Sequence, residues 1–583
     1  MKRRMTAIVI ALMMVLSLLL AINPANVQAE VEKMDWKPYD ELIAQIKSET
    51  DFVKREALMH EAEDMLMETY ALCPLYYYND PYMAKPELTN YYTTLYGYKY
   101  FMFAENGDKD SIRMNISSEP NRLDPVLNSS VDGAILAVHA FSGLFKYGED
   151  SQPEPDLVES YDVSEDGLEY TFKLLPGLKW SDGSPLTAED FVYSWKRAVN
   201  PLTAADYAYM FDVIEGYPEI DEEADQLTEE EANKLADDLN VVAEDELTIK
   251  VKLKAPCAYF LDLCAFATYH PVKKDEVENA EGYRDEDGNI LEPGAWALEA
   301  GFVSNGAYVL TEWTHNESMV YEKNPNYHRA DEVKIEKLEF MLSDDDAAIY
   351  AAYRAGDLDF IDGIPTDEIP SLIDSDPEFH VVDNLGTYYV TFNVNSPLFD
   401  GKTVEEANKM RKALSILIDR EYIVDTVAQT GQVLANAFIP AGMADGHGGV
   451  FKENDEDYTY PDEESVGYYP FEPNVEEAIE LLKEAGFEFD GEMLSADTPI
   501  HIKYLTNKME SHAKIAELIQ QDFAVIGITM DVGQMDWTTF LDERKAGNFD
   551  VARNGWVADF NDPINMLEMW TTASGNNDAQ FGR

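Results

Sequence analysis

The sequence predicts a secreted α/β protein with more than one lobe, and three observations predict it. With 583 residues, 45% of them hydrophobic and 12% aromatic, the chain can bury two or three cores rather than one. Between residues 119 and 201 the apolar pattern reads as a helix, then short strands, a turn and a second helix. The first thirty or so residues carry an export leader.

That leader, "MKRRMTAIVIALMMVLSLLLAINPANVQAE", has Lys2, Arg3 and Arg4, an apolar stretch from Ala7 to Ile22, and small residues at Val27-Gln28-Ala29. It reads as a secretory signal peptide over residues 1–29, cleaved after Ala29. The apolar stretch is shorter than the ~20 residues that span a bilayer. No cysteine precedes Cys73, so a lipid-anchored mature N-terminus is not expected. After the leader comes a long amphipathic helix pattern, closed by "CPLYYYNDPYMAKPEL" at 73–88.

Within 119–201, Tyr170, Phe172 and Leu174 alternate as a half-buried strand, and Asp182-Gly183 supplies a tight turn. Thr187 is placed to cap the helix that carries Phe191, Trp195 and Ala198. Cys257 and Cys264, seven positions apart, would lie roughly 10 Å apart on a helix, beyond the ~7 Å limit for a disulfide. All three cysteines are therefore expected as buried thiols.

Charge excludes one class of partner. Asp and Glu number 112 against 44 Lys and Arg, a formal net charge of −68, so nucleic acid would be repelled. Catalytic signatures are missing too. "DGKT" at 400–403 lacks the first glycine of a phosphate loop, where Ser396 stands. "HEAED" at 60–64 has Asp64 where a zinc-protease helix needs its second histidine, which leaves His60 as an expected surface residue. "DEDGN" at 285–289 lacks the full ligand spacing of a calcium loop and reads as a solvated turn. No Gly-x-Ser-x-Gly elbow occurs. Neither catalysis nor a cofactor is expected.

"EPNRLDP", the run "FSGLFKYGEDSQPEPDLVESYDVSEDGLEYTFKLLPGLKWSDGSPLTAEDFVYSWKRAVNP", and later "FVSNGAYVLTEWTHNESMVYEKNPNYHRADEVKIEKLEF", "YRAGDLDFI", "ALSILIDREYIV" and "FDVARNGWVADFNDP" form a linked set. Together they closely resemble the family-5 solute-binding proteins of ABC transporters, the oligopeptide- and dipeptide-binding group. The resemblance implies a bilobed periplasmic-binding-protein-like fold of type II with an extra small domain, closing on ligand by a hinge. Domain I would comprise 80–141 and 271–385, domain II 142–270, and domain III 386–583.

One feature of the order is unusual for that family. There, a passage like "NNDAQFG" runs directly into one like "PYDELIAQIKSETDFVKREALMHEAEDMLMETYALCPLYYYNDPYMAKPEL", and then into one like "LYGYKYFMFA". Here the first stands at 576–582 and the others near the front. The chain resembles a circular permutant in which 30–79 is a displaced part of domain III. The family's own termini would be fused across "ENGDKD", 105–110, where Asn106-Gly107 suits a tight turn.

The resemblance also implies a site. Asp559 matches the carboxylate that pairs with a peptide's α-ammonium group, a charge-assisted bond that a neutral sugar would not need. Arg544 and Arg553 match positions that engage ligand main chain or carboxylate. Trp537, Trp556, Tyr207, Tyr389 and His512 match pocket-lining positions, and Tyr78 would line the cleft from the displaced segment. Three departures bear on specificity: Ser129 replaces an acid after "LDP", Asp362 replaces a pocket aromatic, and Gly386 and Val557 replace two cysteines that bridge in some relatives. The resemblance thus implies a monomeric extracytoplasmic receptor that hands oligopeptides to an ABC permease in the membrane. An oligosaccharide or a nickel chelate is the alternative ligand within the family. A secreted hydrolase and a cell-surface interaction protein are the alternatives outside it.

Overall fold

The structure, a computed structural model, describes residues 32–116, 119–120, 122–218, 227–454 and 458–583. The leader, residues 1–29, lies outside them. Among the described residues no helix is long and apolar enough to cross a membrane.

A ten-stranded sheet organises the chain. Its strands are β1 (Leu72–Ala84), β2 (Ser111–Ile116), β3 (Tyr308–Thr314), β4 (Ser318–Lys323), β5 (Lys337–Leu342), β6 (Phe360–Ile361), β7 (Phe379–Phe392), β8 (His501–Asn507), β9 (Thr529–Met535) and β10 (Val551–Val557). They lie in the order β3-β4-β5-β2-β6-β1-β7-β10-β8-β9. β1 and β7 are the two long strands and pair antiparallel from Leu72↔Thr391 to Met83↔Phe379. The far end of β1 pairs with β6, and the far end of β7 pairs with β10. The β1–β7 ribbon therefore runs through both halves of the sheet and joins them.

Midway the ribbon is irregular. Tyr77 pairs with Thr387 but Asn79 with Asp383, so β7 carries extra residues opposite Tyr78. A bulge bends a strand and loosens its ladder, which is the local chemistry a hinge requires.

A separate four-stranded sheet holds Val158–Val163, Glu169–Leu174, Val241–Asp245 and Thr248–Lys252. As expected, Tyr170, Phe172 and Leu174 are buried alternately on their strand, and Gly183 turns the chain at φ +85°. The helix Ala188–Ala198 starts at Thr187, whose N–H donates to Asp190 at 2.7 Å. It buries Phe191, Trp195 and Ala198.

The first segment is built into the main body. Helix α1 (Lys37–Ser48) buries Tyr39, Leu42, Ile43 and Ile46, one helical face. Helix α2 (Phe52–Met67) follows, capped by Asp51, which accepts the Lys54 N–H. Tyr39 donates to the Leu567 carbonyl at 2.8 Å, and the Trp36 indole to the Trp570 carbonyl at 2.9 Å. Arg55 makes two hydrogen bonds with Asp562, 2.7 and 2.8 Å. The turn at Asn106–Gly107 forms: Gly107 has φ +56° and the Lys109 N–H donates to the Asn106 carbonyl at 2.9 Å.

Two sequence expectations need correction. His60 is buried, stacked on Phe451 and Tyr458 with centroids 4.0 and 3.7 Å away, because these two residues fold over a helix face that looked solvent-facing in isolation. Of the three free thiols, Cys73 and Cys264 are buried but Cys257 is half-buried. The 285–289 turn is exposed as expected, with Asp285 accepting the N–H groups of Asp287 and Asn289.

Candidate functional site

A cavity of about 220 Å³ lies where the hinge ribbon, the small-sheet region and the β8–β10 half of the large sheet meet. Eight of the nine residues expected at the site line it: Tyr78, Tyr207, His512, Trp537, Arg544, Arg553, Trp556 and Asp559. They come from widely separated stretches of sequence. β1 brings Tyr78, β10 brings Arg553 and Trp556, helix α3 (Glu510–Ala524) brings His512, and helix α4 (Trp537–Lys545) brings Trp537 and Arg544.

Tyr389 is the exception. It is fully buried, its ring set against Phe438 and Trp570. Strand alternation decides this. Tyr388 and Arg553 point to the cavity face of the sheet, where Arg553 stacks near Tyr388 and Trp537. Tyr389, the next residue, points to the opposite face.

Asp559 is 7% exposed and has no cationic side chain within ion-pair distance among the described residues. Its carboxylate accepts from Asn565 Nδ2 at 2.9 Å and from the Tyr207 hydroxyl at 3.3 Å. Its carbonyl accepts from Tyr147 at 2.6 Å. Burial pushes its carboxyl up to about 7, against the hydrogen bonds from Asn565 and Tyr207 that favour the charged form. Asn565 also accepts from the Asp559 N–H and from the Trp556 indole, each at 3.1 Å. One side chain thus positions both residues.

The two arginines part company. Arg544 forms an ion pair with Asp578, Nε to Oδ2 at 2.9 Å, without hydrogen-bond geometry at Nε. Arg553 has no carboxylate within ion-pair distance among the described residues. It donates to His512 Nε2 at 2.6 Å, while its buried Nε has no hydrogen-bond partner. Burial, and then the neighbouring Arg553 charge, hold the His512 imidazole well below its usual range. An Arg553 N–H donates to Nε2, which must therefore accept, and Nδ1 lies 3.2 Å from the Tyr388 hydroxyl.

Other buried polar atoms on the cavity wall also have no partner among the described residues: the Tyr98 hydroxyl, Asn507 Oδ1 and the Trp537 indole N–H. Aromatic rings not singled out by sequence reasoning, Tyr96, Tyr98 and Phe266, complete the wall. In a chain with 34 tyrosines, ring content alone could not separate them from core residues.

The departures are accounted for individually. Ser129 lines the cavity, donates to Asp206 at 2.9 Å and accepts from Lys545 at 2.9 Å, and Lys545 also pairs with Asp206. The cluster spans three regions of the chain. Asp362 lies off the cavity wall, held by Asn115 at 2.8 Å and Lys99 at 3.3 Å. Gly386 and Val557 face each other directly across the β7–β10 ladder.

A bilobed α/β chain whose halves are joined by two long strands beside an aromatic cavity, with charges of both signs left without ion-pair partners among the described residues, fits a solute-binding protein. Comparison with known proteins agrees. The model for bacterial extracellular solute-binding proteins, family 5 (middle), matches residues 152–578. The oligopeptide-binding protein OppA of Bacillus subtilis is 32% identical over 480 residues, covering 80% of this chain and 79% of that one. The periplasmic oligopeptide-binding protein OppA of Escherichia coli is 33% identical over 479 residues, 81% and 79%. Among solved structures, the Escherichia coli murein tripeptide binding protein MppA superposes with a TM-score of 0.66 at 28% identity, covering 82% of this chain and 84% of that one. Haemophilus influenzae OppA in complex with RPPGFSPFR gives 0.66 at 28%, covering 81% and 85%. The chain belongs to the family-5 bacterial extracellular solute-binding proteins.

Proposed function

We propose that this protein captures oligopeptides outside the cytoplasm and delivers them to an ABC permease, without turnover. One observation carries the reading: among the described residues the cavity holds a buried carboxylate without a cation and a buried guanidinium without an anion, Asp559 and Arg553. Unpaired buried charges are costly, and a peptide's α-ammonium and carboxylate or carbonyl groups would compensate both. Its backbone would also supply partners for Tyr98, Asn507 and Trp537. A neutral oligosaccharide would leave both charges uncompensated. The cavity, about 220 Å³, is small beside the ~300–1,000 Å³ common for ligand sites, which favours peptides of a few residues.

The chain order is read as a circular permutation. β1, from the first segment, is a central strand between β6 and β7, and Trp36, Tyr39 and Arg55 bond to residues 562–570. The order-preserving matches to OppA cover about four fifths of each chain, 80% and 79%, as a displaced segment would leave them. On this reading 30–79 completes domain III, 80–141 and 271–385 form domain I, and 142–270 forms domain II.

Asp559→Asn keeps the side chain's size and removes its charge. With a free-amine peptide it should cost roughly 2–5 kcal/mol, about thirty-fold or more in affinity. With the N-acetylated peptide it should cost little. Calorimetry on both ligands and both proteins closes a double-mutant cycle. Equal losses for the two peptides, or preference of the unmodified protein for the acetylated one, would refute the assignment.

A further inference from the structure

We propose that Glu56, Asp445 and His447 form a binding site for a divalent transition metal of the zinc class, tying α2 to the 441–451 loop. The three donor atoms lie within 4.8 Å of one another. His447 Nε2 is 2.7 Å from Glu56 Oε2 and 3.7 Å from Asp445 Oδ2. A tetrahedral ion with bonds of ~2.0–2.2 Å holds its ligands about 3.3–3.6 Å apart. The two His447 separations bracket that spacing, and the Glu56–Asp445 pair, within 4.8 Å, would have to close by up to about 1.5 Å to enclose one.

Asp445 is the fixed member. It is 5% exposed. Its Oδ1 accepts the N–H groups of His447, Gly448 and Gly449 at 2.7, 2.9 and 2.9 Å. Its Oδ2 accepts no hydrogen bond among the described residues and lies on the His447 side. A carboxylate so buried, with one oxygen saturated and the other presented to an imidazole and a second carboxylate, is a preformed half of a metal site. The backbone donors orient it as outer-shell groups do.

The donor set selects the ion. One imidazole and two carboxylates, with water completing the shell, suit Zn²⁺ and its neighbours. Ca²⁺ seeks six to eight oxygens, and three donors including a nitrogen supply too few. The chain's net charge of −68 raises the local concentration of any cation.

The position gives the ion a consequence. The Ala444 N–H donates to Asn561 at 2.9 Å, and Gly446 sits against the Arg55–Asp562 pair. An ion bridging α2 to this loop would brace the corner that carries Asp559.

The test uses the full mature chain, stripped with EDTA and titrated with Zn²⁺ at physiological salt in excess Mg²⁺, which occupies non-specific acidic surface. One saturable site is expected, with a tetrahedral Co²⁺ spectrum when Co²⁺ replaces Zn²⁺, and a melting temperature that rises with Zn²⁺. His447→Gln, at an exposed position, and Glu56→Gln should each weaken Zn²⁺ binding at least tenfold while still melting cooperatively. The proposal is overturned if no saturable site is found, if both variants bind Zn²⁺ as the unmodified chain does, or if Ca²⁺ displaces Zn²⁺ at equal concentration.

Discussion

At the scale of single residues, Asp559 and Arg553 set how binding should respond to conditions. Burial holds the Asp559 carboxyl at about 7 in the unliganded protein, whereas a bound ammonium needs it ionised. Below about pH 7 the ligand must therefore displace a proton. Affinity for a free-amine peptide should fall by up to about tenfold per pH unit there, with proton release on binding, and Asp559→Asn should abolish the pH dependence. Calorimetry in buffers of different ionisation enthalpy measures both. Among the described residues Arg553 has no carboxylate partner, whereas Arg544 is ion-paired with Asp578. Arg553→Gln should accordingly weaken a peptide with a free carboxylate by about tenfold or more, and weaken its C-terminal amide less. Arg544→Gln should lower the melting temperature instead, because Asp578 loses its ion-pair partner. The roles of these residues were legible in sequence only through resemblance. Which arginine is free was not, because Asp578 reaches Arg544 only in the folded chain.

At the scale of elements, β10 shows how a strand and a distant segment form one wall. Gly555 faces Tyr78 so closely that an added Cβ would stand 2.1 Å from the Tyr78 hydroxyl. Gly555→Ala must push that ring out of the cavity wall, as overpacking does elsewhere at about 1–3 kcal/mol. Peptide affinity should drop with only a modest fall in melting temperature, and calorimetry beside a thermal melt separates the two. β1 makes the matching case for stability. Deleting 30–104 removes a central strand from the large sheet and the α1 face that packs on 564–570, so no cooperative unfolding transition should remain in circular dichroism. Tyr389 marks where element-level reasoning corrects a residue-level match: adjacent strand residues face opposite ways, and only the register with β10 says which face holds the cavity.

At the scale of the whole molecule, buried acids shape stability. Asp262, Asp346 and Asp559 are each held at about 7 by burial, and Asp522 at about 6. Their folded values lie above the ordinary carboxylate range, so the folded state binds these protons more tightly than the unfolded chain. The stability they contribute is fully present below about pH 4 and is lost as pH rises through 6 to 7. Ion-paired carboxyls act oppositely and only in more acid solution; Asp182, beside Lys273 and Ser184, is held down at about 2. The unliganded protein should therefore melt at a higher temperature at pH 5 than at pH 8, as scanning calorimetry would show, and relief of self-repulsion among 112 acidic residues acts in the same direction.

The sequence by itself determined the local elements, the class of fold and eight residues of the candidate cavity. Alternation at Tyr170, Phe172 and Leu174, the Thr187 cap and the Asn106–Gly107 turn depend on neighbours a few residues away, so they can be read from a short window. Linked motifs gave the family and, with it, Asp559 and Arg553. Tertiary structure alone decided the burial of His60 under Phe451 and Tyr458, the turn of Tyr389 away from the cavity into the core, the pairing of Arg544 with Asp578, and the meeting of Glu56 with Asp445 and His447. Each of these depends on contact between segments far apart in sequence. No local pattern encodes such contacts, because packing and strand register arise only when the segments fold against one another.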